Sequence, residues 1–114
     1  MVTPFWIIIL VLITAFLAAV GQLLFKLGAV LVSSDIWSWI LNWRLIIGLV
    51  LYGMGFILVV IALKRGNLSI IYPLLATSYI WVAILSIHFL GESFAVTQWI
   101  GIALIIGGIG LIVR

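Results

Sequence analysis

The first apolar stretch of the chain carries polar side chains at a regular spacing. Thr14, Gln22 and Lys26 recur at multiples of four residues, and Ala18 completes the series. Residues four apart share one face of an α-helix, so these side chains form a polar ridge along that helix. Because an unpaired polar group in hydrocarbon is energetically costly, the ridge is expected to face protein or water rather than lipid. Such side chains bind a substrate through charge and hydrogen bonds.

Two interpretations of this ridge remain open. Lys26 lies about 32 Å beyond Phe5 along a helix that rises about 1.5 Å per residue, near the far edge of the hydrocarbon. A lysine at this depth can extend to the lipid headgroups, or it can bind a substrate. Gln22 lies deeper in the membrane, where it forms either an interhelical hydrogen bond or a substrate contact.

Further polar and aromatic side chains lie in the third apolar stretch. Tyr72, Tyr79 and Ser86 are seven residues apart and are predicted to share one helix face. Tyr79 and Trp81 fall near the middle of the membrane, where interfacial anchoring does not explain them. They either fill space between helices or contact a substrate, and in both cases their polar groups need partners. Pro73 lies inside this helix and is predicted to bend or loosen it.

The two carboxylates of the chain, Asp35 and Glu92, lie near the membrane edges. Neither is deep enough to carry a proton across the bilayer. Glu92 lies four residues after His88 and near the same membrane face as Lys26. It is therefore predicted to join a substrate site, to pair with one of these cations, or to position a turn. The sequence shows no catalytic dyad, metal cluster or phosphate-binding loop, which argues against an enzyme and against a bound cofactor.

Four apolar stretches position these side chains. They cover residues 5–32, 45–63, 68–90 and 94–113, and each has roughly the 20 residues needed to cross the hydrocarbon of a bilayer. Apolar residues make up 68% of the chain and charged residues 6%, a balance typical of membrane proteins. Continuous apolar runs exclude a β-barrel, and a formal charge of +3 is too small to indicate a nucleic-acid partner. The predicted fold is all-α: one transmembrane domain, residues 1–114, with four membrane-spanning helices surrounded by lipid.

A bundle of four helices encloses little space, so a substrate pathway is expected to need a second copy or a paralogue. Small residues four or seven apart, which permit close helix contact, occur in three of the stretches: Ala15 and Ala19, Gly48 and Gly55, and Ala103 and Gly107. The fourth stretch is predicted to form a dimer contact through Ala103, Gly107 and Gly108. Packing within one subunit is the alternative for these residues.

The distribution of positive charge predicts the orientation in the membrane. Lys64, Arg65 and Arg114 lie on the side of the termini, whereas Arg44 and the borderline Lys26 lie on the other side. Because cytoplasmic loops carry an excess of Lys and Arg, this small difference favours cytoplasmic termini in the inner membrane. Insertion in both orientations, and hence an antiparallel dimer, stays open.

Several motifs together resemble the drug/metabolite transporter superfamily. The segment Gly21–Ala29 (GQLLFKLGA) is similar to the motif of the first helix in that superfamily. The pair Tyr72-Pro73, the segment Leu90-Gly91-Glu92 and the segment Gln98–Gly101 (QWIG) resemble the second half of the same repeat. The resemblance covers essentially the whole chain and implies a membrane transporter.

Two four-helix branches of this superfamily are similar to the chain. Small multidrug resistance proteins have a similar length and form antiparallel dimers, but their exporters use a glutamate of the first helix where this chain has Ala18. The chain resembles more closely the flippase subunits that move aminoarabinose linked to undecaprenyl phosphate. The shared features are the Gly-Gln…Lys motif, the Tyr-Pro pair and a segment comparable to Ile80–Val82.

This closer resemblance implies a flippase for a polyprenyl-phosphate-linked sugar or a similar amphipathic anionic lipid, working by alternating access in a dimer. The substrate-binding residues expected on this basis are Lys26, Gln22, Thr14, Tyr72, Tyr79, Trp81 and Glu92. Two alternatives remain: an exporter of organic cations or small metabolites, and a subunit that assembles with a larger membrane complex without transporting anything.

Overall fold

A computed structural model describes residues 4–113, and every regular element within them is a helix. The helices are α1 (Phe5–Ala29), α2 (Trp37–Ile40), α3 (Trp43–Arg65), α4 (Leu68–Leu75), α5 (Ser78–Phe89) and α6 (Val96–Val113). Four spans are long and apolar enough to cross a membrane, namely α1, α3, the α4–α5 pair and α6. The predicted all-α fold with four membrane-spanning helices is therefore confirmed. Arg114, one of the cations counted on the side of the termini, lies outside the described residues.

The bounds of the helices differ from the predicted ones by a few residues. Helix α1 ends at Ala29 instead of residue 32, and α3 begins at Trp43 instead of residue 45. The side chain of Asn42 explains the early start of α3, because its Oδ1 accepts a hydrogen bond from the Arg44 backbone N–H at 3.2 Å. An amide oxygen at this position caps the first turn of a helix. Helix α2 forms within the first loop, where no helix was predicted.

Helix α1 lies at the centre of the bundle and packs against α3, α4 and α5. The face that it buries includes Ile7, Val11, Ala15 and Ala19. Near the chain termini, Ile7 and Val11 join a core cluster with side chains from three other elements: Ala62, Ile71 and Leu74, with Ile109 and Val113 packed against it. This cluster ties all four spans together at one end of the bundle.

At the other end of the bundle, α1 and α3 approach each other through glycines. A Cβ atom added to Gly48 would lie 2.9 Å from the Phe25 ring and 3.0 Å from the Gly21 carbonyl oxygen. One added to Gly28 would lie 2.9 Å from Leu45. Such distances leave no room for a side chain, so the close contact depends on these glycines. Gly48 and Gly55, predicted as a packing pair, are both buried.

The third span is interrupted, as Pro73 predicts. Helix α4 ends at Leu75 and α5 begins at Ser78. Pro73 lies inside α4 and removes the bond to the carbonyl one turn before it. After Pro73 the chain forms tighter bonds between residues three apart, from Ala76 N–H to the Pro73 carbonyl and from Thr77 N–H to the Leu74 carbonyl, both at 3.0 Å. Two helices of different phase therefore replace one continuous helix.

Helix α6 is the least enclosed span. It has no buried residue, and its main packing partner is α4. A Cβ atom added to Gly101, Gly107 or Gly108 would meet no atom within 4 Å. The small residues of α6 therefore do not serve helix packing within the subunit, in contrast to those of α1 and α3.

Candidate functional site

One cavity gathers the charged side chains at the end of the bundle away from the termini. Its volume is about 210 Å³. Lys26, Gln22, Glu92 and Ser86 supply its polar lining, and the remaining lining residues are apolar: Ala19, Leu23, Val82, Leu85 and Leu90. We call this space the Lys26 cavity. It places a cation and a carboxylate beside a carboxamide and a hydroxyl, which is a set of groups able to bind a polar ligand.

Local structure explains the position of the two charges. Lys26 lies in the last turn of α1, and Glu92 follows the end of α5. Gly91 has a φ of 68°, and the Glu92 N–H donates to the Ser86 carbonyl at 3.2 Å. This is the glycine-dependent turn that commonly terminates a helix, and it ends the third span. Glu92 forms no salt bridge with Lys26 or His88 in the part of the chain that the structure describes. The Lys26 ammonium and the Glu92 carboxylate can therefore both bind a ligand.

A second cavity of about 310 Å³ lies deeper, between α1, α3 and the α4–α5 break. We call it the Tyr52 cavity, and its polar lining comprises Thr14, Gln22, Tyr52, Tyr72 and Ser78. Gln22 lines both cavities. Its Nε2 donates to the Tyr52 hydroxyl at 3.5 Å, a long and weak hydrogen bond that links α1 to α3. The predicted ridge therefore runs from the Lys26 cavity into the Tyr52 cavity.

Thr14 has the least freedom of the predicted site residues. Its side chain is 2% exposed, and its hydroxyl donates to the Leu10 carbonyl of the preceding turn at 2.8 Å. Serine and threonine commonly make this bond inside helices. Its hydroxyl proton is therefore engaged within α1, which leaves only acceptor capacity toward the Tyr52 cavity.

The predicted face of Tyr72, Tyr79 and Ser86 is wrong. Tyr72 lines the Tyr52 cavity, whereas Tyr79 and Ser86 line a cleft between α5 and α6. The interruption at residues 76–77 is the physical reason, because it changes the helical phase between Tyr72 and the other two. Trp81 lines none of these spaces, and its ring meets that of Phe16 edge-on with centroids 4.9 Å apart.

Three polar side chains belong to these cavities although the sequence did not single them out as binding residues: Tyr52, Ser78 and Ser86. The sequence could have indicated Tyr52 as a site residue, since it has the one side-chain hydroxyl in the apolar stretch 45–63. A hydroxyl in hydrocarbon needs a hydrogen-bond partner. Ser86 belonged to a predicted face but not to the predicted site. No pattern in the chain indicated Ser78, because its position depends on the break after α4.

Comparison with known proteins gives these cavities a family context. The model of the EamA-like transporter family matches residues 2–114. An uncharacterized protein of Sinorhizobium fredii, y4nH, is 34% identical over 110 residues, which cover 94% of each chain. A probable 4-amino-4-deoxy-L-arabinose-phosphoundecaprenol flippase subunit ArnE of Pseudomonas fluorescens is 27% identical over 106 residues, or 90% of this chain and 93% of the relative.

A second probable flippase subunit ArnE, from Escherichia fergusonii, is 33% identical over 63 residues, or 55% of this chain and 57% of the relative. No solved structure matches the chain. The family match over nearly the whole chain agrees with the four spans of the structure. The chain is therefore a multi-pass membrane protein that belongs to the EamA-like transporter family, within the drug/metabolite transporter superfamily.

Proposed function

We propose that the protein is a flippase for an amphipathic lipid whose headgroup is a sugar linked through phosphate to a polyprenyl chain. The observation that carries this proposal is the Lys26 cavity, where a lysine and a carboxylate, neither of them paired within residues 4–113, line the same small space. Lys26 is the cation for the phosphate. Gln22 and Ser86 lie beside it as hydrogen-bond partners for the sugar.

The carboxylate refines the chemistry of the proposed headgroup. Glu92 would repel a purely anionic ligand, but it would attract a ligand that also carries an amine. A headgroup with both a phosphate and an ammonium group therefore satisfies Lys26 and Glu92 together. The names of the related flippase subunits, which refer to an amino-deoxy sugar linked through phosphate to undecaprenol, support such a headgroup.

The Tyr52 cavity supplies the next position along the proposed path. Gln22 lines both cavities, so its carboxamide can remain bound to the headgroup as the headgroup moves inward. Its hydrogen bond to Tyr52 is long, at 3.5 Å, and can be exchanged for bonds to the substrate at small cost. Tyr72 offers a further hydroxyl on the other wall of this cavity.

The proposal includes alternating access in a dimer, either of two identical chains or of this chain with a paralogue. Helix α6 is the proposed dimer contact. Ala103 and Gly107 are exposed in the single chain, and nothing lies within 4 Å of a Cβ atom at Gly107 or Gly108. Small residues that contact nothing in their own chain are suited to the close approach of a second helix. We place the dimer in the inner membrane, with cytoplasmic termini or with the two chains in opposite orientations.

Replacement of Lys26 by alanine tests the proposed site. In proteoliposomes that contain an aminosugar-linked undecaprenyl phosphate, flipping is followed by the access of a membrane-impermeant amine reagent to the headgroup. A hydrogen bond to a charged group contributes about 1.5–3 kcal/mol, so Lys26→Ala is expected to slow flipping about tenfold to 100-fold. Lys64→Ala is the matched control, since Lys64 also lies in the last turn of a membrane-spanning helix, is exposed and lines neither cavity.

The same preparation separates the alternatives. Flipping by Lys26→Ala at the wild-type rate would show that Lys26 does not bind the phosphate. Proton-driven movement of an organic cation, without movement of the lipid, would identify a small multidrug-resistance-type exporter. Failure of the wild type to move either substrate, together with assembly into a larger complex, would identify a non-transporting subunit.

A further inference from the structure

A third space lies between α5 and α6, and the site described above leaves it without a role. This α5–α6 cleft has a volume of about 340 Å³. From α5 it is lined by Tyr79, Val82 and Ser86, and from α6 by Gln98, Gly101 and Ile105, among others. Ser86, Glu92 and Gln98 lie toward one end of the cleft, the Tyr79 hydroxyl belongs to its other end, and the remaining lining residues are apolar or glycine.

The cleft adjoins the Lys26 cavity. Val82, Ser86 and Glu92 line both spaces, so one wall of the Lys26 cavity is also one wall of the cleft. A ligand held by Lys26 that passes these shared residues would therefore enter the cleft. The cleft lies between two membrane-spanning helices, so its outer side is expected to face the hydrocarbon of the bilayer.

Two features of the sequence keep the cleft open. Helix α6 packs against the bundle through Ile109 and Val113, near its end, while α4 is its main packing partner. Along the first half of α6, Gly101 presents no side chain to α5, and a Cβ atom there would meet nothing within 4 Å. Helix α6 therefore contacts the bundle mainly through α4 at the end near the chain termini, and the cleft separates it from α5 toward the end that holds Lys26.

We propose that the α5–α6 cleft is the lateral passage for the apolar tail of the lipid whose headgroup occupies the Lys26 cavity, an inference that rests on the proposed function. A headgroup in a site enclosed on all sides could not remain attached to a tail in the bilayer. The cleft supplies the required opening, and it opens beside the residue that binds the phosphate. Two of the proposed dimer residues, Ala103 and Gly107, lie about 200° and 240° around α6 from Gly101, whereas Gly108 lies within about 20° of it. A second copy that contacts α6 through Gly108 is therefore the competing occupant, and cross-links from the lipid tail distinguish the two.

Filling the cleft with a side chain tests this passage. The variant Gly101→Phe places a ring where the structure has open space, so the fold is expected to tolerate it. Gly53→Phe is the matched control, because Gly53 is also a glycine within a membrane-spanning helix with nothing within 4 Å of its Cβ position. Binding to protein in lipid nanodiscs is measured with an aminosugar linked through phosphate to undecaprenol (the long probe) and with the same aminosugar phosphate on a single isoprene unit (the short probe).

We expect Gly101→Phe to weaken binding of the long probe about tenfold and to change binding of the short probe by less than about twofold, while Gly53→Phe changes neither. In the wild type, a photoreactive group on the first isoprene units should cross-link to Tyr79, Ile102 or Ile105, a measurement that requires no variant. Equal losses for both probes, no loss for either, or cross-links confined to other helices would overturn the passage and leave the headgroup site standing. A wild type that binds neither probe would overturn the proposed function together with the passage.

Discussion

The α1–α3 contact and the α5–α6 cleft use the same residue type for opposite purposes. At the contact, Gly48 lies so close to α1 that an added Cβ atom would be 3.0 Å from the Gly21 carbonyl oxygen. At the cleft, the corresponding atom on Gly101 would meet nothing within 4 Å. Both glycines lie in apolar membrane-spanning helices. In one place the missing side chain brings two helices together, and in the other it keeps space between them.

One wall of the site, on α1, is therefore fixed, whereas the opposite wall, beside α5 and α6, is open. Gln22 and Lys26 lie on α1, whose backbone is held against α3 by the glycine contact. The opposite side of the site is formed by α5 and by the turn at Glu92, beyond which α6 stands apart. A transporter needs residues held in place to bind its substrate and an element that leaves room for the substrate to pass. The two regions supply these two requirements.

Replacement of Gly48 by leucine is expected to have the largest effect on the fold. Four added carbon atoms would force α1 and α3 apart, because the Phe25 ring and the Gly21 carbonyl already occupy the space. We expect the free energy of unfolding, measured by SDS titration in detergent, to fall by at least about 3 kcal/mol. Gly53→Leu on the same helix, where nothing lies within 4 Å, should change it by less than about 1 kcal/mol. Equal losses in the two variants would show that α1 and α3 are not in close contact.

Replacement of Asn42 by alanine tests a second interaction between α1 and α3. The Asn42 Nδ2 donates to the Gly28 carbonyl at 2.8 Å, and its Oδ1 accepts from the Arg44 N–H at the start of α3. Asn42 is 7% exposed, so water cannot readily replace these bonds. We expect Asn42→Ala to lower the free energy of unfolding by about 1–2 kcal/mol.

The variant Asn42→Asp separates the two bonds, because aspartate keeps the acceptor for Arg44 and loses the donor for Gly28. A larger loss of stability than for Asn42→Ala is expected from the same SDS titration, because the second carboxylate oxygen would face the Gly28 carbonyl oxygen in a buried position. If both variants were as stable as the wild type, Asn42 would not connect α1 to α3.

The sequence predicts the spans well because each one is a long apolar run, and hydrophobicity alone determines which segments cross a bilayer. It also predicts that Lys26 and Gln22 share a face, since that depends only on the spacing within one helix. Their shared cavity with Ser86 and Glu92 depends on how α1 packs against α5. No local pattern contains that information.

The glycines also show that spacing within one helix does not reveal which other helix it contacts. A packing face is predicted equally by the spacing of Gly48 and Gly55 and by that of Ala103 and Gly107. Only the first of these two pairs is buried within the chain. The dimer contact through α6 stays a prediction. The single face predicted for Tyr72 and Tyr79 is wrong for a different reason. The predicted effect of Pro73 is a bent or loosened helix, whereas the structure has a break after Leu75 that also changes the helical phase.

Replacement of Gly101 by alanine is expected to have the smallest effect and the opposite sign. A methyl group at Gly101 meets no neighbour, and alanine is favoured over glycine inside a helix by roughly 1 kcal/mol in water. We therefore expect the free energy of unfolding to rise by about 0.5–1 kcal/mol in the SDS titration. A methyl group also leaves most of the 340 Å³ cleft empty, so binding of the long probe should not change. A loss of stability instead would mean that another helix contacts Gly101 in the assembled transporter. A partner would then close the open side of the site in the assembled transporter. The difference between the open space at Gly101 and the close contact at Gly48 would then apply only to the single chain.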